Sequence, residues 1–414
     1  MTNENIKKDK KDKKIKILNQ GTYGCIFKPG LTCEGMVDNS VKNITKLQRK
    51  KETSENEVEI GKKLMDVKQY KRHFAPIVES CDVDISKVID NEFRKCKFID
   101  ENEKANKSLS FEINKISYIG KETLMTYNFN LLKKENALEF SKMFINNFKI
   151  LIKGVEKMSN INIVHFDIKE NNIMTRKQTG RPIFIDFGLS FDMEEVRLDE
   201  NNYFDVFYVY EPSYAPWCFE INMINYILNE IGKDMETVED IVNLHVSGSQ
   251  IDTFISDFFD SNTVFKNVLE EKEILQMKYN YSDYLKELVR KNSSATGIKW
   301  QIIFEEMFTY FKTWDVYGVC MCYLYMFPDL SLNELEVEHI KSFKSFLKSM
   351  IMSTPEKRLD AKKCLVELEK LNKVSELEIE NLQQTLIKRR ENIEEIRKKY
   401  IDSKLKHDDE KVNK

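Results

Sequence analysis

One short stretch of this chain gathers an acid, a cation and an amide: His165-Phe166-Asp167-Ile168-Lys169-Glu170-Asn171-Asn172. Asp167 can accept a proton, and Lys169 can steady a developing negative charge. Asn172 can offer an amide oxygen to a hard metal ion. Apolar pairs flank the stretch, Ile163-Val164 before it and Ile173-Met174 after it. The loop is therefore anchored in a core at both ends, which favours function over a plain polar surface loop. A second acid, Asp186, closes an apolar run and opens Asp186-Phe187-Gly188, 19 residues after Asp167. A third stretch, Asn19-Gln20-Gly21-Thr22-Tyr23-Gly24-Cys25-Ile26, carries two glycines three apart. Glycine lets a backbone turn lie close over phosphates, because no Cβ blocks the approach. The chain then returns in strand-like Cys25-Ile26-Phe27-Lys28, where a dinucleotide fold or a P-loop needs a helix. Taken alone, two such glycines fit any hairpin.

These residues need elements to hold them. Strand-like runs fall at Ile15–Leu18, Cys25–Lys28, Ser40–Leu47, Ile77–Cys81 and Phe111–Tyr118, with a helix at Thr53–Met65. Asp82–Ser110 is polar and reads as a loop or hairpin insertion. Phe140, Met143, Phe144, Phe148, Leu151, Ile152, Val155 and Met158 recur at helical steps and form a core-facing stripe. Short strands follow near Ile173–Thr175 and Ile183–Ile185, and helix patterns dominate from Phe219 to Leu371. Lys373–Lys406 reads as one long charged helix with sparse apolar positions, too charged for a core. Strands first and helices later predict an α+β chain with a small sheet-rich lobe and a larger helical one.

Composition narrows the function classes. The chain has 414 residues, of which 41% are hydrophobic, enough to bury a sizeable core. Lys and Arg number 65 against 68 Asp and Glu, a net charge of −3. No global polyanion-binding charge exists, so direct nucleic-acid binding is not expected. Cys25, Cys33, Cys81, Cys96, Cys218, Cys320, Cys322 and Cys364 form no CxxC pair, and histidines number 5, so a zinc site of ordinary spacing is not expected. Scattered cysteines in a long chain predict reduced thiols in a cytosol-like compartment. No apolar run approaches the roughly 18–20 residues of a membrane span, and Met1–Lys16 lacks an apolar signal core. The expectation is a soluble, cytoplasmic protein without a membrane partner.

With these motifs in this order, the chain from about Ile15 to Leu371 resembles the eukaryotic-type protein kinases. Gly21-Thr22-Tyr23-Gly24-Cys25-Ile26-Phe27-Lys28-Pro29 and His165-Phe166-Asp167 are similar to serine/threonine kinases of giant (nucleocytoplasmic large) DNA viruses. The resemblance implies a bilobal kinase-like fold, ATP and Mg²⁺ as cofactors, a protein substrate, and host cytoplasm or virion as location. It assigns Gly21 and Gly24 to the glycine loop, with Asn19 where a first glycine stands, and Ile26 over the adenine. A strand lysine should hold the α- and β-phosphates. Lys42 and Lys46 compete for that role, with Lys28 a weaker rival on the preceding strand. Lys42 is preferred, because small Ser40 lies two residues earlier on its face, where Lys46 has bulky Ile44. Its helix partner is chosen from Glu55, Glu57 and Glu59. Glu57 is preferred, since Ile60 and Leu64 then share its face, and a start at Lys46 leaves a tight span. Asp167 matches the base, Lys169 the lysine that steadies the transferred group, and Asn172 and Asp186 the two magnesium ligands. Ser117 and Ile119, in Ile116-Ser117-Tyr118-Ile119-Gly120, are the hinge candidates near the adenine.

The resemblance also sets boundaries. It implies an N-terminal lobe at 15–118 and a C-terminal lobe at 119–372, between a Lys-rich run at 1–14 that reads as a disordered basic arm and a charged tail at 373–414. The 94 residues between Glu220 and Asp315 exceed what a kinase core needs, so about 221–305 reads as a helical insertion. The role of that insertion is open between substrate docking, a partner surface and decoration; the tail reads as a helix packed loosely across one lobe, with a partner or dimer helix as the alternative; oligomeric state is left open. Phe166 stands where many kinases carry an arginine that reads a phosphate on the activation segment, so activation without such a phosphate is expected. Ala215-Pro216 or Glu220 marks the segment's end, with Glu220 preferred as partner of Arg358. Asp315 should bond the backbone of the catalytic loop. The leading function is transfer of the γ-phosphoryl group of ATP to serine or threonine. The alternatives are a small-molecule kinase of the aminoglycoside or choline type and a catalytically silent scaffold.

Overall fold

The computed structural model describes residues 15–21, 24–38, 42–50, 52–88, 92–99, 110–134, 137–196, 203–293, 295, 297–332, 338–370 and 396–400. The expected basic arm and most of the expected tail lie outside these residues. The fold is α+β: a small antiparallel sheet near the N-terminus, then a larger and mostly helical part. The chain divides into two compact units, residues 1–119 with 186–188, and residues 120–185 with 189–414.

The first unit holds β1 (Lys16–Gly21), β2 (Gly24–Lys28), β3 (Asn43–Arg49), helix α1 (Glu52–Met65), β4 (Ile77–Val83) and β5 (Phe111–Ser117). The strands pair antiparallel in the order β1-β2-β3-β5-β4. Alternation decides the two faces. Cys25, Phe27, Leu47 and Ile113 turn into one apolar core, where Phe27 stacks on Phe93 at 5.3 Å. Ile26, Lys46 and Asn114 are opposed across β2, β3 and β5 on the other face. Helix α1 turns Ser54, Glu57, Ile60 and Leu64 inward at three- and four-residue steps. Two glycines permit close approaches. A Cβ on Gly24, whose φ is +150°, would meet the Leu47 carbonyl oxygen at 2.0 Å; one on Gly61 would meet that of Ile77 at 2.7 Å. Gly24 is thus required by strand packing, whatever else it does.

The cysteines of this unit overturn the expectation of eight reduced thiols. Cys25 is disulfide-bonded to Cys96, and Cys33 to Cys81. The partners stand 71 and 48 residues apart, so only tertiary proximity pairs them. Cys218, Cys320, Cys322 and Cys364 are free and buried. The cysteine pattern therefore carries no argument for a reducing compartment. No helix among the described residues is long and apolar enough to cross a membrane.

The second unit begins with β6 (Glu122–Thr123), α2 (Leu124–Lys134) and α3 (Ala137–Ser159), then β7 (Ile163–Val164), β8 (Ile173–Thr175), β9 (Pro182–Phe184) and β10 (Phe191–Asp192). Helices α4 (Tyr203–Val206), α5 (Phe219–Tyr226), α6 (Val238–Val242), α7 (Gly248–Ser261), α8 (Thr263–Val268), α9 (Glu271–Asn292) and α10 (Trp300–Thr309) follow. The chain continues through α11 (Phe311–Asp329), α12 (Glu338–Met352) and α13 (Ala361–Lys370). The apolar stripe of α3 is buried from Phe140 to Met158, and α11 is buried on all sides from Thr313 to Tyr323. The segment expected as an insertion is built into this core. Tyr281 of α9 is fully buried, donates to the Ser353 carbonyl at 2.6 Å and accepts from Arg358 at 2.9 Å. Arg358 Nη1 meets Glu220 Oε1 at 2.6 Å, both side chains sealed from solvent. The sequence expectation of that pair holds, and the segment 221–305 supplies one of its partners.

Two outcomes follow from this packing. Arg358→Met leaves the Glu220 carboxylate buried without its counter-charge, so urea unfolding should show a loss of about 3–5 kcal/mol; a change under about 1 kcal/mol would contradict the burial. Peptide mapping without reductant should recover Cys25 linked to Cys96 and Cys33 to Cys81, and dithiothreitol should lower the denaturation midpoint. Loop-closure entropy for loops of this length amounts to about 4 kcal/mol each. Free, alkylatable thiols at these four positions in unreduced protein would contradict the pairing.

Candidate functional site

The polar centre of the first unit is an ammonium between two carboxylates. Lys46 Nζ lies 3.0 Å from Glu57 Oε2 and 3.5 Å from Asp186 Oδ1. The strand carries Lys46 on the face away from the apolar core, and the second turn of α1 brings Glu57 to it. Burial alone would lower the Lys46 pKa, yet Glu57 and Asp186 raise it above the ordinary lysine value. Burial raises the Glu57 carboxyl against the pull of Lys46. Asp186 adopts a left-handed backbone at φ +61°, an uncommon conformation for a residue other than glycine. Phe187 is buried, edge-on to Phe74 at 6.2 Å.

This corrects the choice of Lys42, which sits exposed in the turn before β3, ahead of the strand itself. The span from Lys46 to Glu57 is short but sufficient, because α1 starts at Glu52, directly after β3 ends at Arg49. Small Ser40, which favoured Lys42, lies outside the described residues. Among the glycine-loop residues, Gly21 is opposed to Gly24, and Asn19 to Ile26, across β1 and β2. Ile26 is half-buried and opposed to Lys46 on the same face. Ser117 ends β5 opposite Asn43, and Ile119 is the last residue of the first stretch of this unit.

In the second unit, the loop after β7 is held by its own backbone. Asp315 of α11 accepts from the N–H groups of His165 at 2.7 Å and Phe166 at 3.1 Å. Burial raises the Asp315 carboxyl, while His165 and these two N–H groups pull it down. Phe166 takes a left-handed backbone at φ +67° and directs its carbonyl to Trp217 Nε1 at 2.9 Å. So fixed, the loop presents Asp167, which is buried. Asn172 Nδ2 donates to Asp167 Oδ2 at 2.8 Å and to the Asp167 carbonyl at 3.0 Å. Lys169 Nζ meets the same Oδ2 at 2.9 Å, and the Tyr214 hydroxyl donates to Oδ1. The structure thus brings Asp167, Lys169 and Asn172 together, as their spacing predicts.

Sequence reasoning missed Tyr214. No spacing rule links it to Asp167; the turn Glu211–Trp217 delivers it, with N–H···O bonds from Tyr214 to Glu211 and from Trp217 to Tyr214, both 3.0 Å. It also missed the company of Phe166. That ring packs against Phe191 at 5.3 Å, Phe207 at 5.5 Å and Trp217 at 4.9 Å. An aromatic cluster therefore holds Phe191, Phe207 and Trp217 to the loop by apolar contact. Of the tail, residues 396–400 are described as helix, and Tyr400 there packs on Phe129 of α2 at 5.7 Å.

Among the described residues, no group of three or more His, Cys, Asp or Glu is arranged to hold a metal ion. No protein-family model matches the chain, and no curated protein matches it.

The Lys46–Glu57 contact should register as an energetic coupling. Lys46→Met should lower stability by about 1–3 kcal/mol, and adding Glu57→Gln should then cost little more. Additive effects of the two substitutions in urea unfolding would show that the pair does not interact.

Proposed function

We propose that the chain is an ATP-dependent protein kinase with a protein-kinase-like fold. On this reading it transfers the γ-phosphoryl group to serine or threonine hydroxyls of a protein substrate. The observation that carries the reading is the ammonium of Lys46 held between Glu57 and Asp186. A triphosphate is densely anionic, and its transfer spreads charge over the equatorial oxygens. A lysine kept charged and immobile by two carboxylates is suited to that charge, because it needs no reorganisation when substrate arrives. The sheet face of Ile26 and Lys46 is assigned to the nucleotide, with Ile26 on the adenine, Lys46 on the α- and β-phosphates and Glu57 orienting Lys46. Asn19, Gly21 and Gly24 are assigned to the loop over the phosphates, and Ser117 and Ile119 to the adenine edge.

Asp186 and Asn172 are assigned to Mg²⁺, which when bound supplies positive charge to the phosphates. Asp167 is the base. It takes the proton of the acceptor hydroxyl as the acceptor oxygen bonds to the γ-phosphorus and the bond to the ADP oxygen breaks. Lys169, beside Asp167, offsets charge on the transferred group. The contacts of Phe166 with Phe191, Phe207 and Trp217 support activity that needs no phosphate on the segment between Asp186 and Glu220.

The test is incubation with γ-labelled Mg-ATP and a generic protein acceptor. Wild type should label serine and threonine. Lys46→Met and Asp167→Asn should each lose on the order of 10²–10³-fold, while Lys42→Met stays within a few-fold of wild type. Equal labelling by wild type and Asp167→Asn would sink the proposal; a worse loss for Lys42→Met than for Lys46→Met would return the strand lysine to Lys42.

A further inference from the structure

The Asp167 carboxylate is already engaged on both oxygens by the chain itself. Oδ2 takes Asn172 and Lys169, and Oδ1 takes the hydroxyl of Tyr214. Asn172 and Lys169 belong to the same short loop as Asp167. Tyr214 does not: it arrives from a turn 47 residues away in sequence. Its ring is held edge-on to Trp217 at 5.1 Å, and Lys169 Nζ lies 5.8 Å from its centre. Trp217 is tied in turn to the Phe166 carbonyl. Burial and the charge of Asp167 push the Tyr214 phenol far above its usual range, so it stays protonated and donates. A neutral hydroxyl donating to a buried carboxylate is the arrangement a general base offers an acceptor before transfer.

We propose that Tyr214 is an acceptor-selecting residue: its hydroxyl holds the place at Asp167 that a substrate hydroxyl must take. The inference rests on the kinase reading and specifies how that site chooses its acceptor. Asp167 is almost wholly buried, and its other oxygen is occupied, so an incoming hydroxyl displaces the phenol. Protein acceptors that bind the 203–217 segment and turn Tyr214 aside are then favoured. A small or loosely bound hydroxyl compound lacks the contacts to do so and competes poorly. The tyrosine is thereby a positioning residue, acting on the acceptor through Asp167.

The experiment compares wild type and Tyr214→Phe, using γ-labelled Mg-ATP and a short serine-containing peptide as a weakly docking acceptor. Phenylalanine keeps the ring against Trp217 and removes only the competing hydroxyl. The expected result is a rise of about tenfold in kcat/KM for the peptide, the size of one hydrogen bond lost by the competitor. The rise should come mainly from a lower peptide KM, with the KM for ATP unchanged. A fall in kcat, or no change in peptide KM, would overturn the proposal and make Tyr214 a plain brace for Asp167. Labelling by Tyr214→Phe alone would be the strongest form of support. Failure of both proteins to label any acceptor would overturn the kinase reading itself, a result separable from labelling without the rise.

Discussion

A lysine ammonium taken out of water must meet opposite charge, or it loses its proton. Much of the first unit is arranged to satisfy that demand at Lys46. Strand β3 has to keep its register so that Lys46 faces α1 while Leu47 enters the apolar core. A slip of one residue would exchange the two. Helix α1 has to start directly after the strand, and Gly61 lets it approach β4 closely enough for Glu57 to reach its partner. Asp186 completes the charge balance from a backbone conformation that few side chains adopt. The neighbouring polar ladder follows the same logic, with Glu112 accepting from Gln48 at 2.9 Å and Asn114 at 2.7 Å, all three buried.

The second unit applies the same rule to acids. Asp315 is buried and answered by two backbone N–H groups; Glu220 is buried and answered by Arg358. Asp167 is buried and answered by Asn172, Lys169 and Tyr214. The first two fix backbone and core, because their donors, on His165, Phe166 and Arg358, belong to buried residues. Asp167 differs in having a donor, Tyr214, whose turn is half-exposed. That contrast is what suits Asp167 to exchange partners. Phe166, in the same loop, is held by apolar burial against Phe191, Phe207 and Trp217.

Local features were legible in the sequence. Asp167, Lys169 and Asn172 lie within six residues, so one loop must bring them together, and apolar flanks announce its anchoring. Glu57 was legible because Ile60 and Leu64 mark the buried face of its helix. The choice between Lys42 and Lys46 was not, because it depends on where β3 begins, and strand ends carry weak signals. Ser40 favoured Lys42, whereas β3 begins at Asn43. The disulfides were invisible for a different reason: Cys25 and Cys96 become neighbours only through tertiary folding. Tyr214 and Tyr281 were missed likewise, since each joins its partners from a distant turn or helix. The segment 221–305 reads by length as an insertion of open role, whereas its buried Tyr281 makes it part of the structure around Arg358.

The central claim is that the charges around Lys46 and Asp186 serve a metal-bound nucleotide. Calorimetry of ATP binding with and without Mg²⁺, on wild type and Asp186→Asn, tests it most directly. The account predicts one ATP site on the wild type whose affinity rises with Mg²⁺, and loss of most of that Mg²⁺ dependence in Asp186→Asn. No ATP binding to the wild type, or the same Mg²⁺ dependence in both proteins, would contradict it.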